Sequence, residues 1–255
     1  MATANDIYAF LCAAAPIELQ MDFDNSGFQL GRGKAEVRRV LLALDLTDDV
    51  AAEAEELGAE LIITHHPLLF TPLRSLTDSD TEHDRVLRLA ENGIAVISMH
   101  TNLDIARGGV NDVLIRMLGA EPEAALDKDG CGRVGTLPGP VETGEFLKIC
   151  SDVLKANGLR YHASGRPVHR IAVMGGSGGD NIDAAAALGC DTYVTADIKY
   201  HQFLHAADLG LTLIDADHFC TENPVMYSLC TRLEENFPGV HFSVSSRHKQ
   251  IIQFS

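Results

Sequence analysis

Slid along itself by 131 residues, this chain matches itself without a gap: Arg39 falls on Arg170, Asp49 on Asp180 and Ala54 on Ala185. Leu57 then meets Leu188, Gly58 meets Gly189 and Thr64 meets Thr195. Apolar positions follow suit, Val40 with Ile171, Leu42 with Val173 and Ile63 with Val194. Further on, Gly93-Ile94-Ala95-Val96-Ile97 corresponds to Gly210-Leu211-Thr212-Leu213-Ile214, the first copy carrying extra residues around 69–82. A repeat limits the fold to a unit that can be used twice. Each copy alternates short β-rich runs with alanine-rich helical segments, the pattern of α/β architecture. The expected fold class is α/β: two similar halves, 1–125 and 126–255, made of pseudo-duplicated βαβ units and packed around one shared cleft.

Local signals place the elements. An opening helix is expected to begin near Asn5 or Asp6, either of which can cap it, and to end before Pro16. Val40–Leu44 reads as a strand, and Thr47 or Asp48 caps a helix that stops at Gly58. Residues 60–64 form the next strand, 84–92 a helix and 94–99 another strand. Val110–Leu118 is a helix closed by Gly119. Glu121–Pro140, heavy in Gly, Pro and Asp, reads as the linker.

Charge and cysteine usage narrow the function classes. A net charge of −16 repels nucleic-acid backbones and anionic membranes. The six cysteines are scattered without CxxC spacing and read as reduced thiols of a cytoplasmic protein. No apolar run approaches the ~20 residues of a membrane span, and the N-terminus lacks the basic region of a secretory signal.

The chemistry gathers at strand ends. His65 and His66 close the apolar stretch Leu61-Ile62-Ile63-Thr64 and stop against Pro67. His-x-x-x-acid then occurs twice, as His100…Asp104 and His218…Glu222, each after a short apolar run. In open parallel sheets, ligands bind beyond the carboxyl ends of the strands. On a regular strand His65 and His66 point to opposite faces. Pro67 disfavours helical geometry at His66, so both rings can turn toward a common region. Adjacent imidazoles suit two ions side by side, one to each. Glu222 can bridge such ions, with Asp104 and His218 completing one ion each. Five ligands over two metals leave positions open for water. His100 is either a ligand or a group that orients Asp104 and donates to substrate.

Other histidines carry plainer readings. His83, His162, His169, His205, His241 and His248 are expected to have structural roles only. Gly175-Gly176-Ser177-Gly178-Gly179 is either an anion cradle, with Ser177 among its substrate contacts, or a tight strand-to-helix turn. In Asp197-Ile198-Lys199-Tyr200-His201, Lys199 can contact an anionic substrate and His201 can act as acid or base. Asp197 reads as a helix cap.

At these residues the chain resembles a known family. Asp24-Asn25-Ser26-Gly27-Phe28-Gln29, Thr-His-His-Pro at 64–67 and His-Thr-Asn-Leu-Asp at 100–104 are similar to motifs of the NIF-three-like dinuclear-metal proteins. Ala196 through His201 and Asp217-His218 through Thr221-Glu222 continue the match. The resemblance implies the NIF-three-like fold, with metal ligands at His65, His66, Asp104, His218 and Glu222. It implies a toroidal homohexamer, a trimer of dimers. Many members are labelled GTP cyclohydrolase I type 2 homologues. The chain departs at Phe23, often Trp in the family, and at Ala196 and Asp217, often Gly; none is a ligand.

Two functions follow as expectations. The first is a metal-dependent hydrolase of a nucleotide or phosphoester, holding two divalent ions (Zn, Mn, Fe or Co), with His100 or His201 moving the proton and Ser177 and Lys199 holding substrate. The second is a non-catalytic metal-binding ring with a regulatory, metal-storage or partner-docking role.

Overall fold

A computed structural model describes residues 2–254. Its contacts divide the chain into two compact units, residues 1–106 with 226–249, and residues 107–225 with 250–255. The first unit is discontinuous, whereas the sequence suggested consecutive halves meeting at 125/126.

The first unit runs α1 (Ala4–Ala14), β1 (Gly27–Leu30), β2 (Arg39–Ala43), α2 (Asp48–Leu57), β3 (Leu61–Thr64), α3 (Thr81–Glu91), β4 (Ala95–Ser98) and α4 (Thr101–Ile105). Thr3, not Asn5 or Asp6, caps α1: its hydroxyl accepts from the Asp6 amide while the Asp6 carboxylate accepts from the Thr3 amide at 2.8 Å. Asp6 thus stands at the far side of a capping box. Thr47 caps α2 and Gly58, at φ 63°, ends it in the left-handed region, which glycine enters without a Cβ clash.

The second unit runs α5 (Val110–Met117), β5 (Ala124–Ala125), β6 (Arg133–Val141), α6 (Thr143–Leu154), β7 (Arg160–His162), β8 (Val168–Ser177), α7 (Ile182–Ala187), β9 (Thr192–Ala196), α8 (Tyr200–Asp208), β10 (Thr212–Asp215) and α9 (His218–Glu222). After α10 (Pro224–Asn236), β11 (His241–Val244) joins the first unit's sheet beside β2.

The sheets share a plan. The first has the order β1-β4-β3-β2-β11, with β11, β2, β3 and β4 parallel and β1 antiparallel to β4. The second has the order β5-β6-β8-β9-β10-β7, with β8, β9 and β10 parallel and β7 antiparallel to β10. The trio β2-β3-β4 therefore recurs as β8-β9-β10, each closed by a short antiparallel strand. One detail fixes the register of the repeat. Glu60 accepts the amides of Arg38 and Arg39 at 3.0 and 2.8 Å, and Asp191 accepts those of His169 and Arg170 at 3.0 and 2.8 Å. These acids also lie 131 residues apart (191 − 60).

Parallel strands covered on both faces need apolar residues throughout, and every residue of β3, β4 and β10 is buried. Leu41, Val50, Ala54, Ile62, Leu89 and Val96 pack one core. Phe146, Cys150, Ile171, Val173, Val194 and Ile214 pack the other.

The expected linker at 121–140 is a correction. Arg133–Thr136 pairs antiparallel with Arg170–Val173, and the register shifts between Thr136 and Val141. Pro138 and Pro140 lie in that irregular part, where a missing N–H breaks no ladder bond. Their presence hid a real strand. All six cysteines are unbridged. No described helix is long and apolar enough to cross a membrane.

Candidate metal centre

In the first unit, the end of β3 solves the problem of two adjacent histidines. The amides of His65 and His66 both donate to the Leu44 carbonyl, at 3.2 and 3.0 Å. Two consecutive donors on one acceptor interrupt the pleat, so the rings need not point to opposite faces. Thr64 holds the turn from inside, its hydroxyl donating to the His66 carbonyl at 2.7 Å. The ring centroids of His65 and His66 lie 4.9 Å apart.

Each ring is then oriented through Nδ1. His65, fully buried, donates from Nδ1 to the Met99 carbonyl at 2.8 Å, and its Nε2 faces Asp104 Oδ1 at 3.6 Å. His66 donates from Nδ1 to Asp45 Oδ1 at 2.6 Å. His100, at the start of α4, donates from Nδ1 to Asp24 Oδ1 at 2.7 Å. Asp24 also accepts the Thr101 amide at 3.0 Å and the Ser26 hydroxyl at 2.8 Å. Burial pushes the carboxyls of Asp24 and Asp45 up, but these hydrogen bonds outweigh it and hold both well below the ordinary carboxylate range. They stay ionised beside the rings. His65, His66 and His100 present ligand atoms within 4.8 Å of one another.

The second unit carries a His-carboxylate pair of its own. His218 and Glu222 occupy positions i and i+4 of α9, on one helix face, with Nε2 and Oε2 3.0 Å apart. His218 donates from Nδ1 to Asp197 Oδ2 at 2.7 Å. Burial would lower the His218 pKa, but hydrogen bonds to Asp197 and Glu222 overcome it and raise it to about 11. The field there favours a positive charge. Asp197 and Asp217 both adopt left-handed backbone, φ 55° and 70°, the kind of strain that persists only where surrounding structure holds it. Asp215 supplies part of that hold, accepting the amides of Ile198 and Asp217 at 3.2 and 3.3 Å.

Two glycines make room for this pair. A Cβ on Gly176 (φ 66°) would lie 2.2 Å from Glu222 Oε1 and 3.1 Å from His218 Nε2. The amides of Gly175 and Gly176 donate to Asn111 Oδ1 and Thr221 Oγ1, at 2.9 and 3.1 Å, so these two are already engaged and are not available to cradle an anion. The segment reads as a strand-to-helix turn shaped around Glu222.

The other expected residues fall as follows. Ser177 is the exposed last residue of β8, and Lys199 and His201 stand exposed at the start of α8. Lys199 holds the cap position of α8, which corrects the reading of Asp197 as the cap; Asp197 serves His218 instead. His248 places Nε2 3.2 Å from Asp45 Oδ2, a contact that supports the acid behind His66. The orienting roles of Asp24, Asp45 and Asp197 were not read from sequence. Position was a signal for Asp45 and Asp197, which lie just past parallel strands, and Asp24 and Asp197 stand in the segments that carry the family resemblance.

An imidazole whose Nδ1–H is fixed to a carboxylate or carbonyl presents Nε2 as a lone pair, the arrangement that prepares histidine for a metal ion. His65, His66 and His100 have it, with tautomers assigned from the hydrogen-bond network; His218 shares the Nδ1 bond, while its Nε2 pairs with the Glu222 carboxylate. Asp104 and Glu222 add buried oxygen donors. This nitrogen and oxygen set fits a borderline divalent cation.

Residues 2–251 match a family model described as Duf34/NIF3 (NGG1p interacting factor 3). A Clostridium perfringens protein named GTP cyclohydrolase 1 type 2 homolog is 35% identical, over 98% of this chain and 98% of its own length. A solved Bacillus cereus protein related to NIF3 has a TM-score of 0.93 at 25% identity, over 100% of this chain and 99% of that one. Reduced HcgD from Methanocaldococcus jannaschii has a TM-score of 0.85 at 30% identity, covering 97% and 98%.

Proposed function

This chain belongs to the Duf34/NIF3 family, and we propose that it is a divalent-metal hydrolase acting on a nucleotide or another phosphoester. Its ligands are His65, His66, Asp104, His218 and Glu222, holding two ions per chain drawn from Zn, Mn, Fe or Co. One observation supports the reading: each imidazole of the set has Nδ1 bonded to an oxygen acceptor, which makes Nε2 the nitrogen oriented to meet a cation. The name of the Clostridium perfringens relative agrees with a hydrolytic activity on a purine nucleotide.

Divalent ions in such a site lower the pKa of water and stabilise developing negative charge on the substrate. The protein's part is acid–base work and positioning. His100 accepts the proton at Nε2, while ionised Asp24 on Nδ1 (2.7 Å) holds the tautomer and stabilises the imidazolium. His201 is the second candidate for that role. Lys199 and Ser177 are assigned to the anionic part of the substrate. We further propose a cytoplasmic homohexamer, a trimer of dimers, whose mass in solution is measurable by light scattering.

The test is turnover of GTP and of a chromogenic phosphoester by metal-loaded protein across a chelator titration. The expected result is activity proportional to bound metal, with His100→Gln lowering turnover by about 10²–10⁴-fold at unchanged metal content. Undiminished turnover by fully chelated protein would contradict hydrolysis at this centre. Full metal occupancy without turnover would favour the non-catalytic role.

A further inference from the structure

Beside His100 the first unit displays two phenyl rings that the metal chemistry does not use. Phe23 is 66% exposed and Phe70 is 49% exposed. Their centroids lie 6.5 Å apart at an interplanar angle of 60°. The Phe70 ring stands edge-on to the His100 ring at 6.2 Å, and His100 in turn lies 5.2 and 5.4 Å from the rings of His65 and His66. A continuous aromatic wall thus runs from the metal-capable imidazoles out to solvent.

The wall is held in place. Phe70 follows Leu69, whose carbonyl accepts from Asn25 Nδ2 and whose amide donates to Gln29 Oε1 at 2.8 Å. Asn25 and Gln29 belong to the segment that carries Phe23, and Gln29 Nε2 also donates to the Asn25 carbonyl. Asp24, next to Phe23, is tied to Thr101 and His100. Side-chain latches therefore fix both phenyl-bearing segments to each other and to the acid that orients His100. Two large apolar rings kept in water by dedicated polar latches are costly unless a ligand covers them.

We propose that Phe23 and Phe70 form a stacking subsite for a planar heteroaromatic ring, such as a nucleobase, on the substrate handled at His100. This rests on the hydrolase reading and sharpens it: the substrate carries a flat ring, not only a phosphoester. Aromatic faces offer stacking without a hydrogen-bond pattern, so the subsite selects for planarity over base identity. An aliphatic ligand or a second copy of the chain would gain from apolar contact but not from ring planarity, and the experiment separates these.

The chain contains no tryptophan, so Phe23→Trp places a single indole reporter in the wall. Its fluorescence is followed while AMP, GMP or ribose 5-phosphate is added to the full-length, metal-loaded protein. The expected result is saturable quenching by both nucleotides and none by the sugar phosphate. Adding Phe70→Ala or Phe70→Leu weakens nucleotide binding by about tenfold to a hundredfold, the worth of one base–aromatic stack, whereas Phe70→Tyr retains it. Metal content, measured on every variant, stays at the wild-type value. Equal quenching by ribose 5-phosphate, full affinity in Phe70→Leu, or no quenching at normal metal content would each overturn the subsite while leaving the metal centre standing. A change of oligomeric state in the Phe70 variants without loss of nucleotide binding would also overturn it, assigning the wall to a second copy. Loss of metal from the wild-type protein would instead strike the hydrolase reading itself.

Discussion

Asp45 and His66 meet through a 2.6 Å hydrogen bond from Nδ1, and Asp197 and His218 meet through one of 2.7 Å. Both pairs are 21 residues apart in sequence, and both join an acid just past one parallel strand to a histidine just past its neighbour. The two units thus use one device twice. It fixes a tautomer, aims Nε2 and keeps a negative charge behind the ring.

Removing that charge while leaving every ligand intact should weaken metal binding. For Asp45→Asn and Asp197→Asn we expect affinity to fall by about 10–100-fold each, read by competition against a calibrated chelator. Unchanged affinity in both would show that the acids only fill space.

Gly176 gives a steric test. Ala there places a Cβ 2.2 Å from Glu222 Oε1 at φ 66°, so the carboxylate must move. Gly189→Ala is the control, because its φ of 74° imposes similar strain with nothing within 4 Å of the added carbon. Both variants should lose about 1–2 kcal/mol of stability from the left-handed backbone. Gly176→Ala alone should also lose metal. Equal metal content in the two variants would contradict the role given to this glycine.

Away from the site, Glu53 makes the fold pH-sensitive. Burial raises its pKa, but the hydroxyls of Ser245 and Ser246 and the Ser246 amide donate to its carboxylate and bring it below its ordinary 4.5. A carboxyl with a depressed folded pKa stabilises the fold fully above its unfolded pKa, and the contribution fades as pH falls through the folded value. Glu53→Gln should therefore cost about 1.5–3 kcal/mol near pH 7 and progressively less below pH 4.5. Denaturant titrations at pH 7 and pH 4 measure both. A difference that grows in acid would reverse the sign we assign.

Much of this was legible because the repeat and the strand ends are local signals. Thr47, Gly58 and Gly119 punctuate their helices as propensity demands, and the apolar run 61–64 is a buried parallel strand. The strand Arg133–Val141 was not legible, because Pro138 and Pro140 look like linker chemistry until the register shift accommodates them. Nor was the doubled acceptor at Leu44 that turns His65 and His66 together; a main-chain carbonyl leaves no mark in sequence. The bond from His100 to Asp24 spans 76 residues, and only the folded sheet, where β1 lies beside β4, brings them together. The pairing of Phe23 with Phe70 was invisible for the same reason.

The most direct test is metal content per chain, measured on wild-type protein purified without added metal or chelator, beside Glu222→Ala and His65→Ala. About two ions per wild-type chain are expected, with a marked loss in both variants. Wild-type protein that stays empty after incubation with Zn or Mn would contradict that expectation.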